Sequence, residues 1–221
     1  APIADIYALI ISDLTAAEAA LTFPGLGTSF ANKAAAQALL SRVYLYMKDY
    51  ANAKKWADAC ITLAGSRLST AGTYVAQWRA STHNESLFQL VFATNGENIG
   101  VNESLQTSFT TLTQLYEAGT IGRGSSKVEC TKYIGKNGFI NLDNIPLIRI
   151  AEVYLNRAEA LSTPGSPVFN EAAALADLNT IAVNRGLTAF NLTGSALYEE
   201  VLKQRRIELA YEGHRFFDLK R

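Results

Sequence analysis

The stretch RRIELAYEGHRFFDLKR, residues 205–221, mixes charged side chains with aliphatic and aromatic ones. On a helical projection, Arg205, Glu208 and Glu212 fall within the apolar stripe that also contains Leu209. Carboxylates four residues apart repel each other, and a helix C-terminus disfavours both of them. These charges therefore need cations close by, and they could serve either catalysis or structure.

Two interpretations of these carboxylates follow from their chemistry. A carboxylate pair can act as general acid and general base, but such a site also needs a nucleophile, a metal cluster or a pocket, and no pattern in the sequence supplies one. The residues favour the other interpretation, in which compensated charges lock helix ends together. We predict a buried structural network in which Arg205 pairs with the glutamates. Its members are Arg205, Glu208, Glu212 and Arg215, with further cations from among Arg206, His214, Arg149 and Arg157.

The cysteines and histidines suggest no other chemistry. Cys60 and Cys130 could form one disulfide, but Cys60 lies on the apolar side of a predicted helix, which favours two free thiols. His83 and His214 lack companions spaced for metal binding or nucleophilic catalysis. The motifs CxxC, HExxH, GxGxxG and Walker A do not occur. The sequence therefore predicts no metal, no cofactor and no enzymatic activity.

The composition narrows the class of partner. Of the 221 residues, 48% are apolar, which allows a substantial core, and the 20 basic residues balance the 20 acidic ones. Nucleic acids and anionic membranes select for basic patches, so neither is predicted as the main partner. No apolar run approaches the roughly 20 residues that span a bilayer.

Six segments with apolar residues at helical spacing must position the charged stretch. Asp49 and Asn170 are predicted N-caps, and Gly65 and Gly186 are predicted C-terminal stops. The second and third segments are joined by almost no linker, so they form an antiparallel hairpin with tetratricopeptide spacing. The segments are 3–22, 30–48, 50–64, 146–161, 170–185 and 195–212, with Ser195 capping the last.

A stretch of another kind, residues 66–145, separates the helical segments and is rich in Gly, Ser, Thr and Asn. Residues 86–93 read as a strand, and 131–135 and 138–142 as short extended pieces. The predicted fold is mainly α, with tetratricopeptide-like stacked helix hairpins and an irregular insertion carrying short β-strands. We predict a single domain over 1–221, with a scaffold of residues 1–65 and 146–221.

Four segments together resemble the SusD/RagB family. The stretch 205–221 is similar to the signature near the C-terminal end of that family, and PLIRIAEVYLNRAEAL, residues 146–161, resembles its other strong motif. Residues 32–58, NKAAAQALLSRVYLYMKDYANAKKWAD, resemble its helix hairpin, and NESLFQLVFA, residues 84–93, the strand after it. Members are typically longer, so we expect this chain to be a core or C-terminal portion of such a protein, or an unusually short member.

The resemblance implies a function that the residues alone do not. The family consists of outer-membrane surface lipoproteins of Bacteroidetes that capture glycans or other nutrients. They deliver them to a SusC-like, TonB-dependent transporter. We therefore expect a lipid-anchored protein at the cell surface that binds oligosaccharides, with the transporter as its partner and without catalysis.

Sugar rings have apolar faces ringed by hydroxyls, so they bind to aromatic rings and planar amides. The insertion offers such residues, although Trp78 also suits packing beneath the strand and Tyr116 suits the core of a short turn. Asp13, on the apolar side of the first segment, is expected to pair with Arg42. The candidate ligand-binding residues are Tyr74, Trp78, Asn95, Asn98, Asn102 and Tyr116.

A second class of protein remains open at this point. A tetratricopeptide-type adaptor would bind a peptide in its helical groove, and repeated basic or Asn-rich residues on the inner helices would favour it. A hydrolase built on a helical scaffold has no supporting constellation of residues.

Overall fold

Three of the described helices begin at a capping side chain. The side chains of Asn32, Asp49 and Asn170 each accept a hydrogen bond from a backbone amide in the first turn of the helix that follows. The Asp49 and Asn170 caps are as predicted. The computed structural model describes residues 2–22, 27–65, 67–92, 132–133, 135–139 and 142–221. Asn95, Asn98, Asn102, Tyr116 and Cys130 lie outside the described residues.

A small two-stranded sheet separates two groups of helices among the described elements. They are α1 (Ile3–Ala20), α2 (Lys33–Tyr46), α3 (Tyr50–Ala64), α4 (Tyr74–Gln77), β1 (Ser86–Leu90), β2 (Ile145–Arg149), α5 (Ile150–Ser162), α6 (Glu171–Asn184), α7 (Gly194–Glu208) and α8 (Arg215–Lys220). The last long helix begins after Thr193 rather than at a Ser195 cap.

Small residues let the helices stack closely. Helix α2 packs against α3, α3 against α5, and α5 against both α6 and α7. Ala38, Ala57 and Cys60 are buried at the interface where α2 and α3 meet the strands and α5. Ala158 and Ala174 play the same part between α5, α6 and α7. This confirms the predicted fold class of stacked, tetratricopeptide-like helix hairpins.

Ion pairs at the half-exposed edges also join the layers. Arg157 on α5 donates to Asp177 on α6 over 2.7 Å and 2.6 Å, and to Asp58 on α3 over 2.7 Å. The expected pair between Asp13 and Arg42 is wrong, because Asp13 is exposed on α1. Arg42 instead donates to both oxygens of Glu152 over 2.6 Å. No helix within the described residues combines the length and hydropathy needed to cross a membrane.

The two strands correct the predicted start of the helix at 146. Strands β1 and β2 pair antiparallel, with Ser86 opposite Arg149 and Leu90 opposite Ile145, and helix α5 begins only at Ile150. Strand side chains alternate between faces, so Ile148 is buried while Leu147 is 39% exposed. Residues 145–149 thus pair with β1 as a strand before helix α5 begins. The strand predicted over 86–93 is present over 86–90.

The C-terminal stretch is also divided differently from the prediction. Helix α7 ends at Glu208, whereas the sequence suggested that it reaches Gly213. Tyr211 and Gly213 have φ of 66° and 83°, so the chain turns sharply before α8 starts. In the extended pieces predicted at 131–135 and 138–142, the described residues form a turn closed by a bridge between Lys136 and Phe139.

Candidate functional site

Glu208 lies at the centre of a buried charge network. Its Oε1 accepts hydrogen bonds from Arg149 over 3.0 Å and from Arg185 over 2.9 Å, and its Oε2 accepts one from Arg185 over 3.0 Å. All three side chains are fully enclosed by protein. The end of β2 supplies Arg149, the residue after α6 supplies Arg185, and the end of α7 supplies Glu208, so the network joins three elements.

Glu85, just before β1, closes the network from the other side. It accepts from Arg149 over 2.7 Å and from Arg185 over 2.8 Å and 3.0 Å, and it also accepts from the Ser69 amide over 2.9 Å. Two carboxylates and two guanidinium groups therefore alternate, so that each charge faces two of opposite sign. Such an arrangement repays the desolvation of buried charges only while it stays complete.

Glu212 is held by two further donors after the end of α7. It accepts from Arg149 over 2.7 Å and 2.6 Å, and from Lys132 over 2.6 Å. Burial opposes its charge, but Arg149 and Lys132 outweigh that effect and lower the pKa of Glu212 to about 2. Lys132 also donates to the carbonyls of Glu208 and Ala210, so a cation satisfies the C-terminal end of α7.

Arg205 belongs to a different part of the site from the one predicted. It is buried, but it donates to Asp218 over 3.0 Å and to Asn156 over 2.6 Å, and neither Glu208 nor Glu212 is its partner among the described residues. The reason is the turn after Glu208, because it carries Glu212 off the helical face and lets α8 bring Asp218 to Arg205. Arg215 is exposed on α8 and forms no ion pair within the described part of the chain, which corrects its assignment to the network.

A second pair lies beside the network. Glu152 accepts two hydrogen bonds from Arg42, and His214 Nδ1 is 3.9 Å from Glu152 Oε1. Despite burial, Arg42 and His214 lower the pKa of Glu152 to about 2. Burial lowers the pKa of His214 in turn, so this histidine is largely neutral at pH 7. Arg42 also donates to the Leu147 carbonyl over 3.0 Å, which ties α2 to β2.

The two described candidates for ligand binding, Tyr74 and Trp78, lie beneath the network. Tyr74 is fully buried, and the guanidinium of Arg185 lies 4.0 Å from its ring centroid. Trp78 is 6% exposed and has Lys132 and Arg149 5.0 Å and 5.3 Å from its ring. In this arrangement neither ring presents an open face to solvent, and both serve as cation–π support for the charges.

His83 completes this aromatic layer without carrying charge. Its ring lies 4.5 Å from that of Trp78, edge to face, and is 3% exposed. Burial, reinforced by the nearby Arg149, lowers the pKa of His83 to about 3. A neutral histidine among cations avoids a further repulsion. Neither His83 nor Glu85 was singled out as a member of the site by its place in the sequence.

A cleft of about 590 Å³ opens beside the network. Tyr46 and Phe217 stack on its wall with ring centroids 5.9 Å apart, and Tyr133 and Tyr211 also line it. Arg42, Glu212 and His214 supply polar atoms at the same cleft. Aromatic walls with a few polar groups suit a ligand that has both apolar faces and hydroxyl groups.

Two carboxylates at or near the cleft are strongly stabilised in their charged form. Glu152 and Glu212 have pKa values of about 2, so they stay ionised near neutral pH. The residues that the structure describes contain no group of three or more potential metal ligands. Cys60 is a free, buried thiol as predicted, and burial raises its pKa to about 12, which leaves it unreactive.

Comparison with known proteins assigns the chain to a family. The model of the SusD family matches residues 44–221, which include α3, both strands, the charge network and the turn into α8. The chain therefore belongs to the SusD family. No curated protein sequence matches it.

Solved structures of the same superfamily share the fold. A SusD superfamily protein from Bacteroides thetaiotaomicron is 28% identical, with a TM-score of 0.81 over 97% of this chain and 55% of its own. A protein from Bacteroides vulgatus, provisionally described as sugar-binding, is 32% identical, with a TM-score of 0.78 over 98% of this chain and 53% of its own. A SusD-like carbohydrate-binding protein from Bacteroides vulgatus has a TM-score of 0.76 at 22% identity, with 97% and 51% covered. This chain thus spans about half the length of these relatives.

Proposed function

We propose that this protein binds oligosaccharides at the cell surface and delivers them, unchanged, to a SusC-like, TonB-dependent transporter of the outer membrane. The observation that carries the proposal is the match to the SusD family over residues 44–221. The likeness to a relative provisionally described as sugar-binding supports the ligand class. In this proposal the protein is held at the membrane by a lipid anchor in its complete form.

The cleft beside the charge network is the part of the described structure best suited to a sugar. Phe217, 51% exposed, and Tyr46 give it an aromatic wall, and Arg42 and His214 provide polar atoms near that wall. We extend the proposed binding surface to Asn95, Asn98, Asn102 and Tyr116 of the insertion. Their side chains are of the types that bind sugar hydroxyls and ring faces.

Sugar binding is tested with a glycan array, followed by calorimetric titration of the best ligand. Phe217→Ala removes a cleft wall and is expected to weaken binding by about tenfold or more, the range for losing one aromatic stacking partner. Phe216→Ala is the matched control, because Phe216 is the neighbouring ring, is 66% exposed and does not line the cleft.

Three outcomes would count against this proposal. Equal losses in Phe216→Ala and Phe217→Ala would place the sugar elsewhere. An array without any glycan ligand would remove the proposed ligand class. Hydrolysis of a bound oligosaccharide, abolished by changing one carboxylate, would show an enzyme instead.

Delivery to a transporter is tested separately from sugar binding. Co-purification of the protein with a large outer-membrane barrel from native membranes is the expected result. A protein found only in the cytosol would rule out the proposed location and partner, while leaving the sugar titration to be judged by itself.

A further inference from the structure

A second, smaller cleft of about 180 Å³ lies between the end of α7 and helix α8. Arginine side chains dominate its walls, and Leu209 and Ala210 supply an apolar side. We call it the arginine cleft. Its lining residues are Arg205, Arg206, Leu209, Ala210, Tyr211, His214, Arg215 and Asp218.

The described lining of the arginine cleft is mostly cationic. It contains Arg205, Arg206 and Arg215, and among the described lining residues Asp218 is the carboxylate. Asp218 is already engaged, because it accepts from Arg205 Nε over 3.0 Å and 3.1 Å and from Arg221 Nε over 3.2 Å. His214 adds no charge at neutral pH, since burial lowers its pKa. Arg215 forms no ion pair within the described residues, so it leaves a positive charge on the wall of the cleft.

One of the hydrogen-bond donor groups of Arg205 is unpaired within the described residues. The residue is 1% exposed, and its Nε and Nη1 atoms are bound to Asp218 and Asn156. Its buried Nη2 has no hydrogen-bond partner within the described chain. A buried charged donor without an acceptor carries a desolvation cost that is larger than that of a neutral group. An acceptor in the cleft would recover that cost.

We propose that the arginine cleft binds a small carboxylate, with Arg205 as the buried donor and Arg215 as the exposed charge on the wall. A guanidinium group matches the planar geometry of a carboxylate. The buried side chains of Leu209 and Ala210 suit a short apolar chain behind that carboxylate. Phosphate has no apolar part to contact this wall, and it needs more hydrogen-bond donors than a carboxylate does.

The test uses the isotope-labelled protein and sodium propionate as the probe, at constant ionic strength. We expect a saturable shift of the side-chain Nε–Hε resonance of Arg205, which is assigned through its loss in Arg205→Lys. Inorganic phosphate is expected to bind more weakly. The absence of a saturable shift, or tighter binding of phosphate, would overturn the proposal.

Because the buried variant Arg205→Lys can fail to fold, the decision rests on an exposed residue. Arg215→Gln is expected to weaken propionate binding by about threefold, the scale of one exposed charge interaction. Lys220→Gln is the matched control, since Lys220 is exposed on the same helix and does not line the cleft. If both variants weaken propionate binding equally, the effect is due to the overall charge of the protein. That result would overturn the assignment of the binding site to the arginine cleft. The result is independent of whether the larger cleft binds sugar.

Discussion

At the scale of single residues, Glu208 links two guanidinium groups that would otherwise repel each other. Arg149 and Arg185 both donate to Glu208 and both donate to Glu85, so each carboxylate shields the same pair of cations. Removing one carboxylate leaves two buried arginines competing for the other. The network therefore depends on every member, in the way expected of buried ion pairs.

Glu208→Ala is expected to lower the free energy of unfolding by roughly 3–5 kcal/mol, because it strands buried charge. Glu199→Ala is the control, since Glu199 lies on the same helix and is exposed. Urea unfolding of both variants measures the difference. A Glu208 variant as stable as the Glu199 control would show that the buried pairs contribute nothing. Loss of sugar affinity in a stable variant would instead place Glu208 in a binding site.

The sequence pattern identified Glu208, with Arg149 among several possible partners, but it identified neither Glu85 nor Arg185. Glu208 could be singled out because it lies among apolar residues on a helical face. Arg185 is the last residue of a predicted helix, where a cation merely complements the dipole, and Glu85 precedes a predicted strand, so neither attracts notice. Long-range packing brings together Glu85, Arg149, Arg185 and Glu208. The local spacing of residues along the sequence does not indicate that these side chains meet.

At the scale of elements, the junction between β2 and α5 positions Arg149. The strand pairs with β1, and the helix starts immediately afterwards at Ile150. This places Arg149 at the end of the strand, where its side chain reaches Glu85, Glu208 and Glu212. Both the strand and the helix are needed to hold that side chain in the network.

The strand assignment predicts opposite effects at neighbouring positions. Ile148→Ala should destabilise the protein by about 2–4 kcal/mol, because Ile148 is 2% exposed within the core. Leu147→Ala should cost less than about 1 kcal/mol, because Leu147 points outward from the strand. Chemical denaturation of the two variants measures both values. Equal costs, or a larger cost at Leu147, would contradict the strand.

This junction shows where sequence patterns become ambiguous. A proline is acceptable both in the first turn of a helix and near a sheet edge, and residues 147–151, apolar except for Arg149, fit either period. The pairing with β1 decides for the strand, and that partner lies within the insertion, far from residue 146 in the sequence. The helix caps at Asp49 and Asn170 were predictable because they depend on residues within one turn.

At the scale of the whole molecule, buried ionisable groups set the response to acid. His83 has a pKa of about 3 in the folded protein against an ordinary value of 6.5, and Glu152 and Glu212 have about 2 against 4.5. In each case the unfolded chain takes up protons first. Stability is therefore fully present above pH 6.5 and is lost as the pH falls, first through His83 and then through the glutamates.

His83→Phe should flatten this response between pH 6.5 and pH 4.5, the window in which His83 titrates in the unfolded chain and the glutamates do not. One proton contributes about 1.4 kcal/mol per pH unit at most. A residual slope is expected from His214, whose pKa is also lowered. Urea titrations across this range measure both slopes, and identical slopes in the two proteins would contradict the assignment.

The fold class could be predicted from the sequence because helix hairpins with short linkers have few ways to pack. The placement of the insertion against the scaffold could not, since no local pattern indicates that Lys132 reaches the end of α7. The single-domain organisation over 1–221 stays a prediction. A single cooperative transition in the same urea titrations would support it.

The shared guanidinium groups also govern how this sequence can change over generations. A lineage that replaces Arg149 alone leaves Glu85, Glu208 and Glu212 facing one another without their common cation. The first substitution in the network is therefore the one that lowers stability most, whichever residue it replaces. Descendants should keep these positions as a set or exchange them together for apolar residues, and a library of paired substitutions should recover stable proteins that single substitutions do not.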